Sequence, residues 1–212
     1  MDRARLLTLL ASLVLPITVR AQAWSYPSFQ IPRTVEREYN IGVADAGKSG
    51  TSIVFQWREG LGGGSQISFD GGLADAGSRD ENLELFGGVQ YALQLATANA
   101  DVPLDFLFTA GAFLAAGDAE ILRLPVGVSV GHRFPLEGDL AITPYVHPRL
   151  TFGLCTDCPD KNDLAVNFDL GGSFEVSKNL SLRFSAIVGG SNRFDDDGFG
   201  VSLAWAPLGL KR

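Results

Sequence analysis

Two histidines, two cysteines and a triplet of aspartates are the residues of this chain best suited to chemistry. His147 lies in phase with Thr143, Tyr145 and Arg149 in an alternating segment, so the four share one polar face. An imidazole beside a hydroxyl can act as a base in hydrolysis. No serine lies near it on that segment, and a hydrogen-bonded interior histidine is the simpler expectation. His132 falls on the opposite, apolar face, where an amphipathic ring is tolerated. Cys155 and Cys158 stand in Cys-Thr-Asp-Cys without a nearby histidine or further cysteine, a poor zinc set. No βαβ pattern surrounds them, so a redox motif is not indicated either. Asp195-Asp196-Asp197 offers oxygen ligands of the kind calcium and magnesium take, without EF-hand spacing. A solvated loop is the plainer reading. The glycine-rich turn at 61–64 and Gly87-Gly88 lack the strand–loop–helix context of a phosphate loop. No catalytic residue, metal or cofactor is expected.

The elements that position these residues begin after a leader. Arg3 and Arg5 precede an apolar run from Leu6 to Thr18, and Ala21-Gln22-Ala23 follows. Such a run is short of the ~20 residues that a membrane-spanning helix needs. The pattern predicts a secretory signal peptide, residues 1–23, cleaved after Ala23; an uncleaved anchor is the alternative. Export leads to an oxidising compartment, so a local Cys155–Cys158 disulfide is expected. The formal net charge is −7. An acidic chain is a poor partner for nucleic acid, whose phosphates demand a basic face.

Period-two alternation recurs throughout the rest, the mark of strands with two different faces. Ile53, Phe55 and Trp57 oppose Ser52, Gln56 and Arg58. Phe199, Val201, Leu203 and Trp205 oppose Gly198, Gly200, Ser202 and Ala204. Ten segments read this way: 37–45, 51–59, 64–74, 82–95, 102–115, 121–134, 139–153, 163–176, 180–190 and 198–206. Turn residues separate nearly all of them. Residues 88–99 and 107–117 are rich in Ala and Leu, which leaves a helical hairpin as an alternative there and eight strands as an alternative count. Gly42-Val-Ala-Asp-Ala-Gly47 recurs as Gly72-Leu-Ala-Asp-Ala-Gly77. Two strands separate the copies, so both belong at one end of the fold.

One face of the segments is almost wholly Leu, Ile, Val, Phe, Tyr, Trp and Gly. The other carries Arg58, Asp70, Glu84, Asp105, Arg123, Arg133, His147, Arg149, Asp169, Glu175 and Arg183, besides amides such as Gln56, Gln66, Gln90, Gln94 and Asn167. A soluble barrel turns its apolar face inward; a membrane barrel turns it to lipid around a polar lumen. The balanced charges suit a lumen in which each desolvated group finds a partner. Tyr39, Trp57, Phe106, Phe134, Phe174 and Trp205 gather near one set of strand ends, as an interfacial girdle does. The expected fold is an all-β, up-and-down antiparallel transmembrane barrel over residues 37–206. A periplasmic segment (24–36) precedes it and a tail (207–212) follows.

Gly200-Val-Ser-Leu203-Ala-Trp205 resembles the final-strand signal of bacterial outer-membrane barrels, which the barrel-insertion machinery reads through a glycine, a hydrophobic residue and an aromatic. Leu140-Ala-Ile-Thr-Pro-Tyr-Val146 and the segment Glu175 to Arg183 also resemble strands and short turns of that family. Family members often end on the aromatic, whereas residues 206–212 follow it here. The resemblance implies an outer-membrane location. The implied partners are outer-membrane lipid, lipopolysaccharide and the insertion machinery, and the chain is taken as a monomer. With both termini in the periplasm, the connections near 46–50, 75–81, 116–120, 154–162 and 191–197 face outward, and nearly all of the chain's excess negative charge is expected there. The functional expectation is a non-enzymatic barrel with a structural or surface-interaction role. A narrow pore for small solutes is one alternative. A soluble periplasmic barrel holding an apolar ligand is the other.

Overall fold

The computed structural model describes residues 26–45, 50–75, 83–116, 120–156, 162–190 and 197–208. The strands are β1 (Arg37–Asp45), β2 (Thr51–Gly62), β3 (Ser65–Asp75), β4 (Leu83–Ala96), β5 (Asp105–Ala116) and β6 (Glu120–Gly131). They continue with β7 (Phe134–Pro135), β8 (Ala141–Cys155), β9 (Asn162–Glu175), β10 (Leu180–Gly190) and β11 (Gly198–Trp205). All pairings are antiparallel between chain neighbours, apart from two closures. β1 pairs with β11 (Tyr39 opposite Trp205), and β6 pairs with β8 (Gly127 opposite Arg149). β7 is a two-residue extension alongside the start of β8. The result is a closed up-and-down barrel of ten full strands with no free edge.

The ten expected segments are therefore strands, including the Ala/Leu-rich β4 and β5, where cross-strand ladders override helical propensity. Eight strands and a helical hairpin are both excluded. β5 starts later than the sequence suggests because a turn consumes its first residues. The Asn99 side-chain oxygen accepts from the N–H groups of Asp101 and Val102, and Pro103 has no N–H to give. The β2–β3 turn is built on Gly62, Gly63 and Gly64, all with positive φ (82°, 57° and 75°), which only glycine adopts freely.

The two faces separate cleanly. Along β9, Leu164, Val166, Phe168 and Leu170 point outward, while Ala165, Asn167 and Asp169 are buried. Leu170 is 52 % exposed and Phe55 is 47 % exposed, although both sit mid-strand in a continuous wall. A surface of this kind, around an interior of Arg, Asp, Glu, Gln and Ser, is the reverse of a soluble protein and matches a barrel in lipid. Strands of 8 to 15 residues suffice to cross the hydrocarbon layer when tilted. The chain is a transmembrane β-barrel, and the soluble alternative with reversed faces does not hold.

The described parts of both repeat copies, 42–45 and 72–75, lie at the same end, as expected. They flank β2: Ser52 is opposite both Ala44 and Ala74, and Val54 opposite both Gly42 and Gly72. A Cβ on Gly72 would stand 2.1 Å from the Ile53 carbonyl and 2.4 Å from the Phe86 ring. Small residues are needed here because Phe86 packs inward across them.

Candidate functional site

Among the described residues the lumen is where this fold gathers polar chemistry, and it is not empty. Residues 26–36, expected from sequence as a periplasmic lead-in, run inside the barrel instead. Phe29 and Gln30 are wholly buried. The segment forms no ladder, so lumen side chains satisfy its backbone. Gln56 Nε2 and Arg58 Nη2 donate to the Ser28 carbonyl, both at 3.2 Å. Arg58 Nη2 and Arg183 Nη1 donate to the Phe29 carbonyl at 3.1 and 3.3 Å. Ser129 Oγ donates to the Gln30 carbonyl at 2.7 Å, and Gln94 Nε2 to that of Pro32 at 2.9 Å. The N–H groups of Ser28, Thr34 and Val35 donate to Asp169, Gln94 and Gln66. Pro27 and Pro32 remove two further donors that would need partners.

Beneath this segment lies a buried charge cluster. Glu38, from β1, is fully inaccessible between two arginines. It accepts from Arg58 Nη1 at 2.9 Å and from Arg183 at 2.8 and 2.5 Å. Arg58 is 1 % exposed and Arg183 0 %. Buried guanidiniums demand a counter-charge and full hydrogen bonding. The carboxylate supplies the first, and the carbonyls of Ser28 and Phe29 extend the second. Glu38 was missing from the sequence-derived set, although its alternation with Asn40 and Gly42 places it inward.

His147 and Asp169 stand opposite each other on β8 and β9. His147 Nε2 lies 2.9 Å from Thr109 Oγ1, and Nδ1 lies 2.8 Å from Ser28 Oγ. Ser28 Oγ in turn donates to Asp169, which also receives Arg149 Nη2 at 2.8 Å. One proton arrangement satisfies the whole chain: Thr109 donates to Nε2, Nδ1–H donates to Ser28, and Ser28 donates to Asp169. The serine that the β8 sequence lacks is thus supplied by residue 28. The arrangement differs from a hydrolytic triad, in which the imidazole separates hydroxyl from carboxylate. Here Asp169 binds the serine directly, and His147 is 0 % exposed beneath residue 28.

Ion pairs complete the lumen toward the end holding the first and last strand termini. Arg33 Nε meets Asp105 at 3.0 Å, and Arg133 grips Glu175 through two bonds of 2.8 and 2.7 Å. Toward the opposite end, Tyr26 donates its phenol to Asp70 at 3.0 Å and packs on Phe86. Burial first, then the Asp70 charge, pushes the Tyr26 phenol well above the usual tyrosine range. Above Tyr26 a small cavity of about 40 Å³ remains, lined among others by Gln90, Arg123, Arg149, Thr151 and Asn167. Glu84 is half-buried on the same inner face and Arg123 is buried. All eleven sequence-derived lumen residues therefore face inward, most within paired networks.

The six girdle aromatics sit outward near the terminus-side rim. Trp205 is 51 % exposed and stacks on Tyr39 with ring centres 5.8 Å apart; Trp57 packs on Phe69 at 5.5 Å. His132 meets Phe134 edge-on at 4.7 Å. In β11, Leu203 and Trp205 face out and Gly200 faces in, its position filled by the Phe29 ring: a Cβ there would lie 2.6 Å from Phe29 Cζ. Past Trp205 the chain is pinned to the β9–β10 turn, with Asn179 Nδ2 donating to the Ala206 carbonyl at 2.7 Å. Cys155 is disulfide-bonded; Cys158, Asp195 and Asp196 lie outside the described residues. Among the described residues no group of His, Cys, Asp and Glu is arranged to hold a metal ion.

No protein-family model matches the chain, and no curated protein matches it. Two solved structures are similar to the chain. One comes from the de novo design of transmembrane β-barrels, with 16 % identity and a TM-score of 0.35, covering 83 % of this chain and 98 % of that one. The other is the KdgM porin in complex with disordered oligogalacturonate, with 12 % identity and a TM-score of 0.39, covering 80 % and 97 %.

Proposed function

We propose that this protein is a non-enzymatic outer-membrane β-barrel with a structural or surface-interaction role, held closed by its own residues 26–36. One observation carries this: an apolar outer wall surrounds a lumen whose cross-section is filled by a chain segment and its ion pairs. Small barrels fill their interiors with side chains, and this one adds a peptide. The leader, the final-strand signal and the acidic connections support an outer-membrane setting with insertion by the barrel-assembly machinery. Lipid and lipopolysaccharide are then its immediate partners, and the monomer is the working unit.

The test is extraction of the membrane fraction in mild detergent, followed by a denaturing gel of boiled and unboiled samples. The expected result is a mobility shift on boiling, no protein in the soluble fraction, and low conductance in planar bilayers. A soluble protein with no shift would overturn the membrane role; high resting conductance would overturn the closed lumen. The second reading, a narrow pore for small solutes, is favoured by the cavity above Tyr26, and it requires residues 26–36 to leave.

A further inference from the structure

We propose that the lumen is a binding site for an extended peptide, and that residues 26–36 are its resident ligand, bound in cis and displaceable. This rests on the membrane-barrel reading and extends it by naming what the lumen recognises.

Three observations carry the proposal. First, the contacts are those of a receptor with its ligand. The wall reads the peptide backbone through side chains of β2, β3, β4, β6, β9 and β10, with no ladder between segment and wall. Second, particular side chains have their own seats. Tyr26 bonds Asp70, Ser28 bonds His147 and Asp169, Gln30 accepts from Gln90 at 3.2 Å, and Arg33 pairs with Asp105. The Phe29 ring fills the space left by Gly200 beside Ala44. The ligand class is therefore an extended, proline-containing peptide with a hydroxyl, an aromatic, an amide and a cation in that order. Third, Phe29 has φ 49°, the left-handed region that non-glycine residues rarely adopt. Such a backbone persists only where surroundings over-determine it, and here the surroundings are the wall.

The direction of the segment fits displacement. Gly60 N–H donates to the Glu36 carbonyl at the rim where β1 begins. From there the chain, followed backwards, rises past Gln94, Ser129 and His147 to Tyr26 and the cavity at the far side. Among the described residues the segment is continuous with a strand where β1 begins and shares no ladder with the wall, so its withdrawal breaks no strand pairing.

The test uses the full-length barrel, a variant lacking residues 24–34, and full-length Phe29→Asp, which places a carboxylate in the apolar seat beside Gly200. Each is checked for the boiling-dependent mobility shift and then for conductance in planar bilayers. The expected result is that both variants keep the shift and conduct at least tenfold more than the parent. A synthetic peptide of residues 24–34 added to the truncated barrel then restores the low parent value, and a scrambled peptide of the same composition does not. The proposal is overturned by a heat-modifiable variant of either kind that conducts no more than the parent, or by equal block from the scrambled peptide. It is also overturned if neither variant assembles, because the segment would then be a required part of the fold. A parent protein that shows no mobility shift and no membrane association would instead overturn the barrel-in-membrane reading itself.

Discussion

Replacing Glu38 by Ala removes the only carboxylate, among the described residues, bonded to both Arg58 and Arg183 and leaves two inaccessible guanidiniums side by side. Breaking a buried pair from one side costs about 3–5 kcal/mol, because the partner charge is stranded. Two partners are stranded here, so the upper part of that range is expected. The structure gives the two arginines other acceptors, the carbonyls of Ser28 and Phe29 and the Gln56 amide oxygen, but none carries charge. Exchanging all three residues for apolar ones of similar volume should recover most of the loss, since it strands nothing. The assay is urea unfolding of the refolded barrel in detergent, followed by tryptophan fluorescence and by the mobility of unboiled samples. A Glu38→Ala barrel within about 1 kcal/mol of the parent would refute the reasoning. That result would mean the arginines are solvated, and so the lumen wet.

Four further outcomes follow from the same geometry. Leu170→Arg, on the outward face at the middle of β9, should destabilise the membrane-inserted barrel by about 2–4 kcal/mol, whereas Arg placed at Val176 beside the rim should cost less than about 1 kcal/mol; refolding titrations into vesicles compare them. Trp205→Ala should lower the amount of assembled, heat-modifiable barrel in the membrane fraction if the final strand serves as an insertion signal, while a tail truncated after Leu208 should assemble normally. Cys155→Ser should cost less than the about 3 kcal/mol that closing a 15-residue loop provides, measured by urea midpoint under oxidising conditions. Tyr26 should ionise only above the ordinary tyrosine value in an ultraviolet titration. Its raised folded pKa means that its contribution to holding the segment is complete below the ordinary tyrosine value of about 10 and is lost as pH rises through the folded value.

The wall of this barrel was legible because its strands have two chemically distinct faces and period two cannot be mistaken over eight or more residues. Counting alone puts Gln56, Arg58, Asp169 and Arg183 on one polar face; placing that face inside took the balance of its charges and the apolar content of the other face. Strand ends moved by a few residues wherever turn chemistry intervened, as at Asn99 and Gly64. The segment inside the lumen was not legible. It has no periodicity, and Pro27 and Pro32 give it the look of a linker. Alternation says which side of a wall a residue faces but not which residue it meets across the barrel. Ser28 and His147 are 119 positions apart, and nothing local in either neighbourhood marks the pair. The even strand count placed both ends of the wall on one side, correctly, but it was silent about the chain before β1, which turns inward and runs toward the other mouth.

The membrane-facing wall is tested most directly by the fluorescence of Trp57 and Trp205, with Trp24 replaced by Phe, in vesicles of lipids brominated along their acyl chains. Both indoles lie outward near one rim. A wall facing lipid requires strong quenching by lipids brominated near the headgroup and weaker quenching by lipids brominated near the bilayer centre. Fluorescence unchanged by either lipid would contradict it, since the apolar face would then not be in contact with lipid.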